Sequence, residues 1–213
     1  MKLSSTIRLC ALLLGFKIAY IGLLSAVLLL WPVSRSSDMF PGAMLRTTQS
    51  GKLTFASHFG TWDAEHYLIL SQTGYKEGIA QCAFYPLWPF LIKWFSPLTG
   101  GSHVISGMIL TNIFSLAGCL IFFRIVARRL GECAAKLSLV LLLAFPGALF
   151  FQFVYSESLF FFLLMLLCLG LEQNCFWLAF STALLLPLTR AVGIFCSFRF
   201  CGTCCHARHQ QRV

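Results

Sequence analysis

Acidic residues are scarce in this chain. Asp and Glu together number seven among 213 residues, against sixteen Lys and Arg, and all charged residues make up 11%. A soluble domain carries about 25%. With 58% apolar residues and a mean hydropathy of +0.81, so few charges argue against a soluble globule and for a polytopic membrane protein. The net charge of +9 does not signal nucleic-acid binding. The basic residues sit at segment ends and in loops, where anionic headgroups and the positive-inside rule account for them. A small-residue A-x-A site is missing after the first apolar run, so that run reads as a retained helix rather than a signal peptide. Cysteine is not scarce, at ten. Most of the cysteines lie inside apolar segments and act as small hydrophobes, not as a disulfide framework.

The apolar runs predict an all-α fold with about five spans, near residues 7–31, 103–123, 133–152, 157–171 and 175–195. The run from 132 to 171 is too long for one crossing at about 1.5 Å per residue. Phe145-Pro146-Gly147 should kink it, and Tyr155-Ser156-Glu157-Ser158 should turn it. Residues 32–102 form a long outer loop. Within it, 63–73 reads as a short helix, with Asp63 as cap, Trp62 and Tyr67 as a hydrophobic staple, and Gly74 as the stop. Residues 82–96 (CAFYPLWPFLIKWFS) are too short for a span and rich in aromatics, which predicts a helix parallel to the membrane. Lys17 is a cation inside the first span. It either faces other helices or meets a lipid phosphate. The tail 196–213 breaks the apolar pattern, which predicts a disordered or aberrant end. Cys201, Cys204 and His206 have zinc-like spacing there as the sharper alternative.

Charge bias orients the spans. Lys2 and Arg8 place the amino terminus in the cytosol. Arg124, Arg128, Arg129 and Lys136, against Glu132 alone, then fall on the cytosolic side. Asp63, Glu65, Glu157 and Arg190 all fall on the outer face.

The chemistry-bearing stretch is Trp62-Asp63-Ala64-Glu65-His66-Tyr67. It holds two of the seven carboxylates. Asp63 can accept a proton from a hydroxyl as a general base, with Glu65 beside it, and such a pair also suits a divalent cation. The plainer reading is a helix start, with Asp63 capping and Glu65 offsetting the dipole. His66 reads as a hydrogen-bonding wall. Glu157 follows Tyr155 and Ser156 at a span end, either solvated or facing a substrate hydroxyl. Arg190 has the fork that matches phosphate oxygens, unless it snorkels to the interface.

The stretches TWDAEHYLILSQTGY, CAFYPLWPFL, FPGALFFQFVYSESLFF and LTRAVGIF occur in this order over about residues 60–195. Together they resemble the PIG-V family, also called GPI mannosyltransferase 2, and its bacterial relatives. The resemblance implies a GT-C-like glycosyltransferase that moves mannose from a polyprenyl- or dolichyl-phosphate donor to a lipid-linked glycan. In the eukaryotic family that acceptor is the GPI precursor. Asp63 would match the acidic residue of the first outer loop, with Glu65 assisting. Trp62, His66, Tyr155, Glu157 and Arg190 would bind substrate. No metal-ligating residue is assigned, and a divalent cation is the one cofactor left open. Membrane lipid is an expected partner, and a membrane subunit a further one. The compartment would be the endoplasmic reticulum membrane in a eukaryote and the cytoplasmic membrane in a bacterium, with the active face lumenal or periplasmic. Family members run to about twice this length, so the chain is expected to hold the amino-terminal part and to be inactive alone. A transporter or lipid-binding protein without chemistry is the alternative of a different class.

Overall fold

A computed structural model describes residues 3–30, 63–78 and 80–197. Trp62, most of the long loop, and Cys201, Cys204 and His206 lie outside the described residues. The described residues contain helices and no strand. Among the described residues the longer α-helices are α1 (Leu3–Leu30), α2 (Asp63–Thr73), α3 (Leu87–Phe95), α4 (His103–Ala144), α5 (Glu157–Glu172) and α6 (Phe176–Leu185). Among the described residues, α4 is long and apolar enough to cross a membrane, and Ala11–Leu23 and Phe176–Leu188 are shorter apolar helices.

Local chemistry sets most of these boundaries. Helix α2 covers the residues expected for a short helix, but Asp63 is its first helical residue rather than the cap before it. Gly74 closes it, donating its N–H to Leu70 O at 2.9 Å. Helix α3 tolerates Pro89 because first-turn N–H groups have no partner within the helix. Ser102 caps α4 by accepting from the Ile105 N–H.

Three boundaries differ from the sequence expectation. The basic stretch 124–136 is helical on both sides of Gly131, not a loop. Arg, Lys, Ala and Leu are good helix formers, and charge alone does not stop a helix. Gly131 interrupts α4 with φ 86° and ψ 165°, a conformation open to glycine. The chain reverses there. Ser115 Oγ donates to Phe151 O at 3.4 Å. A continuous helix from 115 to 144 would carry the chain about 44 Å away, and seven extended residues recover at most about 25 Å. The two arms instead pack on each other, with Cys119 and Phe123 against Ala135 and Leu139.

The second difference is that α4 stops at Ala144, not near 152. Pro146 cannot donate an N–H, and Pro146–Phe151 forms a 3-10 helix. Third, 175–195 is not one helix. After α6, Leu186–Leu188 tightens into a 3-10 turn containing Pro187, and residues 193–197 run back along α6. Ser197 Oγ donates to Ala183 O. Gly193 presses on the Leu186 backbone with no room for a Cβ.

The arm 103–130 and α5 run parallel. Gly107 packs under Val154, and Gly118 under Phe161 and Phe162. Trp88, Leu110, Val154, Leu159, Leu163 and Leu186 form one core that joins α3 to α4, α5 and α6. Helix α1 is held by Lys17, which is 8% exposed. Its ammonium donates to Asn112 Oδ1 at 3.0 Å, Phe151 O at 3.1 Å and Gln152 Oε1 at 3.5 Å. All three ammonium protons thus find protein acceptors. Lys17 is a helix-facing cation, and the lipid-phosphate reading is not supported.

Candidate active site

Helix α2 packs on α3 and the start of α4, and reaches the residue before α5 through Tyr67. Tyr67 and Ser156 share a hydrogen bond of 2.9 Å across 89 residues. Ser71 Oγ meets His103 Nδ1 at 2.8 Å, which fixes the end of α2 to the start of α4. Ala64, Tyr67, Leu68 and Leu70 are buried in this contact. Asp63 is exposed and Glu65 half-buried. Both sit in the first turn, where the helix dipole favours carboxylates.

His66 and Tyr67 share a wall. The His66 ring stacks on Phe84 with centroids 4.7 Å apart, and Tyr67 meets the edge of the same ring at 5.0 Å. His66 Nδ1 is buried without a hydrogen-bond partner.

Glu157 and Arg190 form an ion pair through Oε1 and Nη1. Glu157 opens α5, and Arg190 lies on the turn where the chain doubles back after α6. The other Glu157 oxygen, Oε2, is buried with no hydrogen-bond partner. Arg190 thus has a partner within the protein.

Two phenols report the charges around them. The Tyr155 hydroxyl is pushed up to about 12, chiefly by burial and then by the negative charges of Asp63 and Glu157. Tyr67 is raised chiefly by burial. The Ser156 hydrogen bond and Arg190 oppose that shift, while Glu157 and Asp63 add to it. Both phenols stay neutral donors near pH 7. Both lie within electrostatic reach of the same two carboxylates. Asp63, Tyr67, Tyr155, Ser156, Glu157 and Arg190 therefore converge on one end of the helix bundle.

The opposite end carries the basic cluster. Arg129 Nε pairs with Glu172 Oε1 at 3.6 Å. Glu172 ends α5, about 22 Å along the helix from Glu157. Among the described residues no three His, Cys, Asp or Glu side chains group to hold a metal ion.

Sequence reasoning put Tyr67 in the chemistry-bearing stretch and Ser156 beside Glu157 without giving either a substrate role, and did not single out Phe84. Each stands inside a motif that carried the resemblance, but their meeting depends on α2 folding back to the start of α5.

The family model for mannosyltransferase (PIG-V) matches residues 5–210. It runs beyond the stretches that carried the resemblance and into the tail expected to be aberrant. No curated protein and no solved structure matches the chain.

Proposed function

From the premise that the chain belongs to the mannosyltransferase (PIG-V) family, we propose that it is a multi-pass membrane enzyme moving mannose from a polyprenyl- or dolichyl-phosphate donor to a lipid-linked glycan. In a eukaryote the acceptor is the GPI precursor and the membrane that of the endoplasmic reticulum. About five crossings in a GT-C-like arrangement put the Asp63 end on the lumenal or periplasmic side. The observation that carries the reading is the convergence of Asp63, Tyr155, Glu157 and Arg190 at one bundle end.

Asp63 takes the proton from the acceptor hydroxyl. The hydroxyl oxygen forms its bond to the anomeric carbon as the bond from that carbon to the phosphate oxygen breaks. The prenyl phosphate leaves with the electron pair, and the anomeric configuration inverts. Arg190 neutralises charge on the departing phosphate. Glu65 supports Asp63. His66, Tyr155 and Glu157 hold sugar hydroxyls, with Trp62 as a stacking surface. The phenols and the Phe84 ring add a polar and apolar wall suited to a pyranose.

Sidedness tests the shared face. Cysteines at Gln72→Cys and Ala191→Cys, both at exposed positions, are placed one at a time in a background lacking the native cysteines. Both should react with an impermeant maleimide from the same side of sealed vesicles. Cys133, exposed near Gly131 and restored alone in that background, should react only from the other side. Labelling of 72 and 191 from opposite sides would break the site.

A further inference from the structure

We propose that Glu157 is the resting counter-ion of Arg190, and that an incoming lipid phosphate displaces it. Glu157 then sets how tightly the site holds its donor. The proposal rests on the reading above and concerns the same site.

Arg190 is the basic residue with a described ion pair at this end of the bundle. Its side chain is 41% exposed, so the guanidinium is reachable from outside while still bound to Glu157. Glu157 is 26% exposed and lies deeper. An anion arriving from the membrane surface meets the arginine first and the carboxylate behind it.

Charge bookkeeping sets the sign. Asp63, Glu157 and Arg190 sum to one negative charge, and Glu65 adds a second. A phosphate ester brings more. It can be held only where Arg190 faces it rather than Glu157. A ligand whose binding-competent state is partly populated binds with an affinity reduced by that fraction. The pair with Glu157 is the competing state.

Glu157 also carries an acceptor that the ion pair does not use. Its Oε2 is buried and lacks a hydrogen-bond partner. Ser156 and Tyr155 precede it in the chain, and the Tyr155 hydroxyl is a neutral donor held within reach of its charge. A carboxylate released from Arg190 can take a hydrogen bond from an acceptor hydroxyl. Donor arrival thereby frees a group for the acceptor.

The test uses the purified full chain in detergent and a short-chain prenyl phosphate without sugar. Glu157→Gln keeps the shape but removes the competing charge. It should bind the probe about threefold to tenfold more tightly than the unaltered protein. Arg190→Met should abolish binding, and the double variant should match Arg190→Met. If Glu157→Gln fails to fold, Glu157→Asp draws the carboxylate back by one methylene and should tighten binding by less, in the same direction. Inorganic phosphate in parallel should show the same order of variants at lower affinity. Equal or weaker binding by both Glu157 variants would overturn the proposal, and so would an order seen with the lipid alone. Loss of transfer in an Asp63 variant is read by a different assay, so this binding result can fail while the transfer reading stands.

Discussion

Asp63→Asn should lower mannose transfer by about 100-fold or more, with the protein still present in the membrane at its normal level. Asp63 is the first residue of α2 and is exposed, so its side chain contributes little packing. Asparagine loses the charge that favours the first turn of a helix, at a cost of only about 0.3–1 kcal/mol for an exposed group. The substitution therefore keeps the fold and removes the ability to accept a proton. Glu65→Gln should cost far less, because Glu65 is half-buried while Asp63 is exposed at the first position of the helix. Transfer rates of the two variants in membranes expressing the complete protein check this. Near-normal transfer by Asp63→Asn would return Asp63 to a purely helix-starting role.

Trp88→Ala should destabilise the protein by about 3–5 kcal/mol. Trp88 is fully buried in the core that joins α3 to α4, and its ring meets Phe114 at 6.4 Å. Removing the indole leaves a void where α3 docks, and α3 supports the loop carrying Phe84. Trp88→Phe separates volume from polarity. The indole N–H is buried without a partner, so losing it forfeits no hydrogen bond. Thermal unfolding in detergent should show a drop of about 10 °C for alanine, using roughly 2–4 °C per kcal/mol for a domain of this size. Phenylalanine should cost well under half of that. Equal losses for both would show that the N–H has a partner after all.

Local signals were legible where the cause is local. Two carboxylates and a glycine bracket α2, and an acidic residue opens α5. The aromatic stretch with two prolines gave α3, but as Leu87–Phe95 between 3-10 turns rather than as one helix over 82–96. Signals were illegible where one backbone torsion or a distant partner decides. Gly131 reverses α4 inside a run of good helix formers, and nothing nearby marks it. The return after Thr189 is set by Gly193 fitting against Leu186, a contact that an apolar count reads as one continuous span. Tyr67 and Ser156 stand 89 residues apart, and Lys17 reaches Gln152 across 135. Such partners follow from packing rather than from any periodicity. The pairing of Glu157 with Arg190 was half-legible: each was singled out as needing an explanation, but not as the explanation of the other.

The two ends of the bundle now have distinct chemistry. One end gathers Asp63, Tyr155, Glu157 and Arg190. The other holds Arg129 with Glu172 beside further basic residues. That polarity suits an enzyme that takes a lipid phosphate from one leaflet. It also suits a carrier that binds the same lipid without chemistry. The deciding measurement is the fate of labelled mannose when the purified complete protein, in vesicles, is given prenyl-phosphate mannose and a lipid-linked glycan. The account predicts mannose in the glycan and one prenyl phosphate released for each mannose moved. Donor that is bound or moved across the bilayer with its mannose still attached would contradict it.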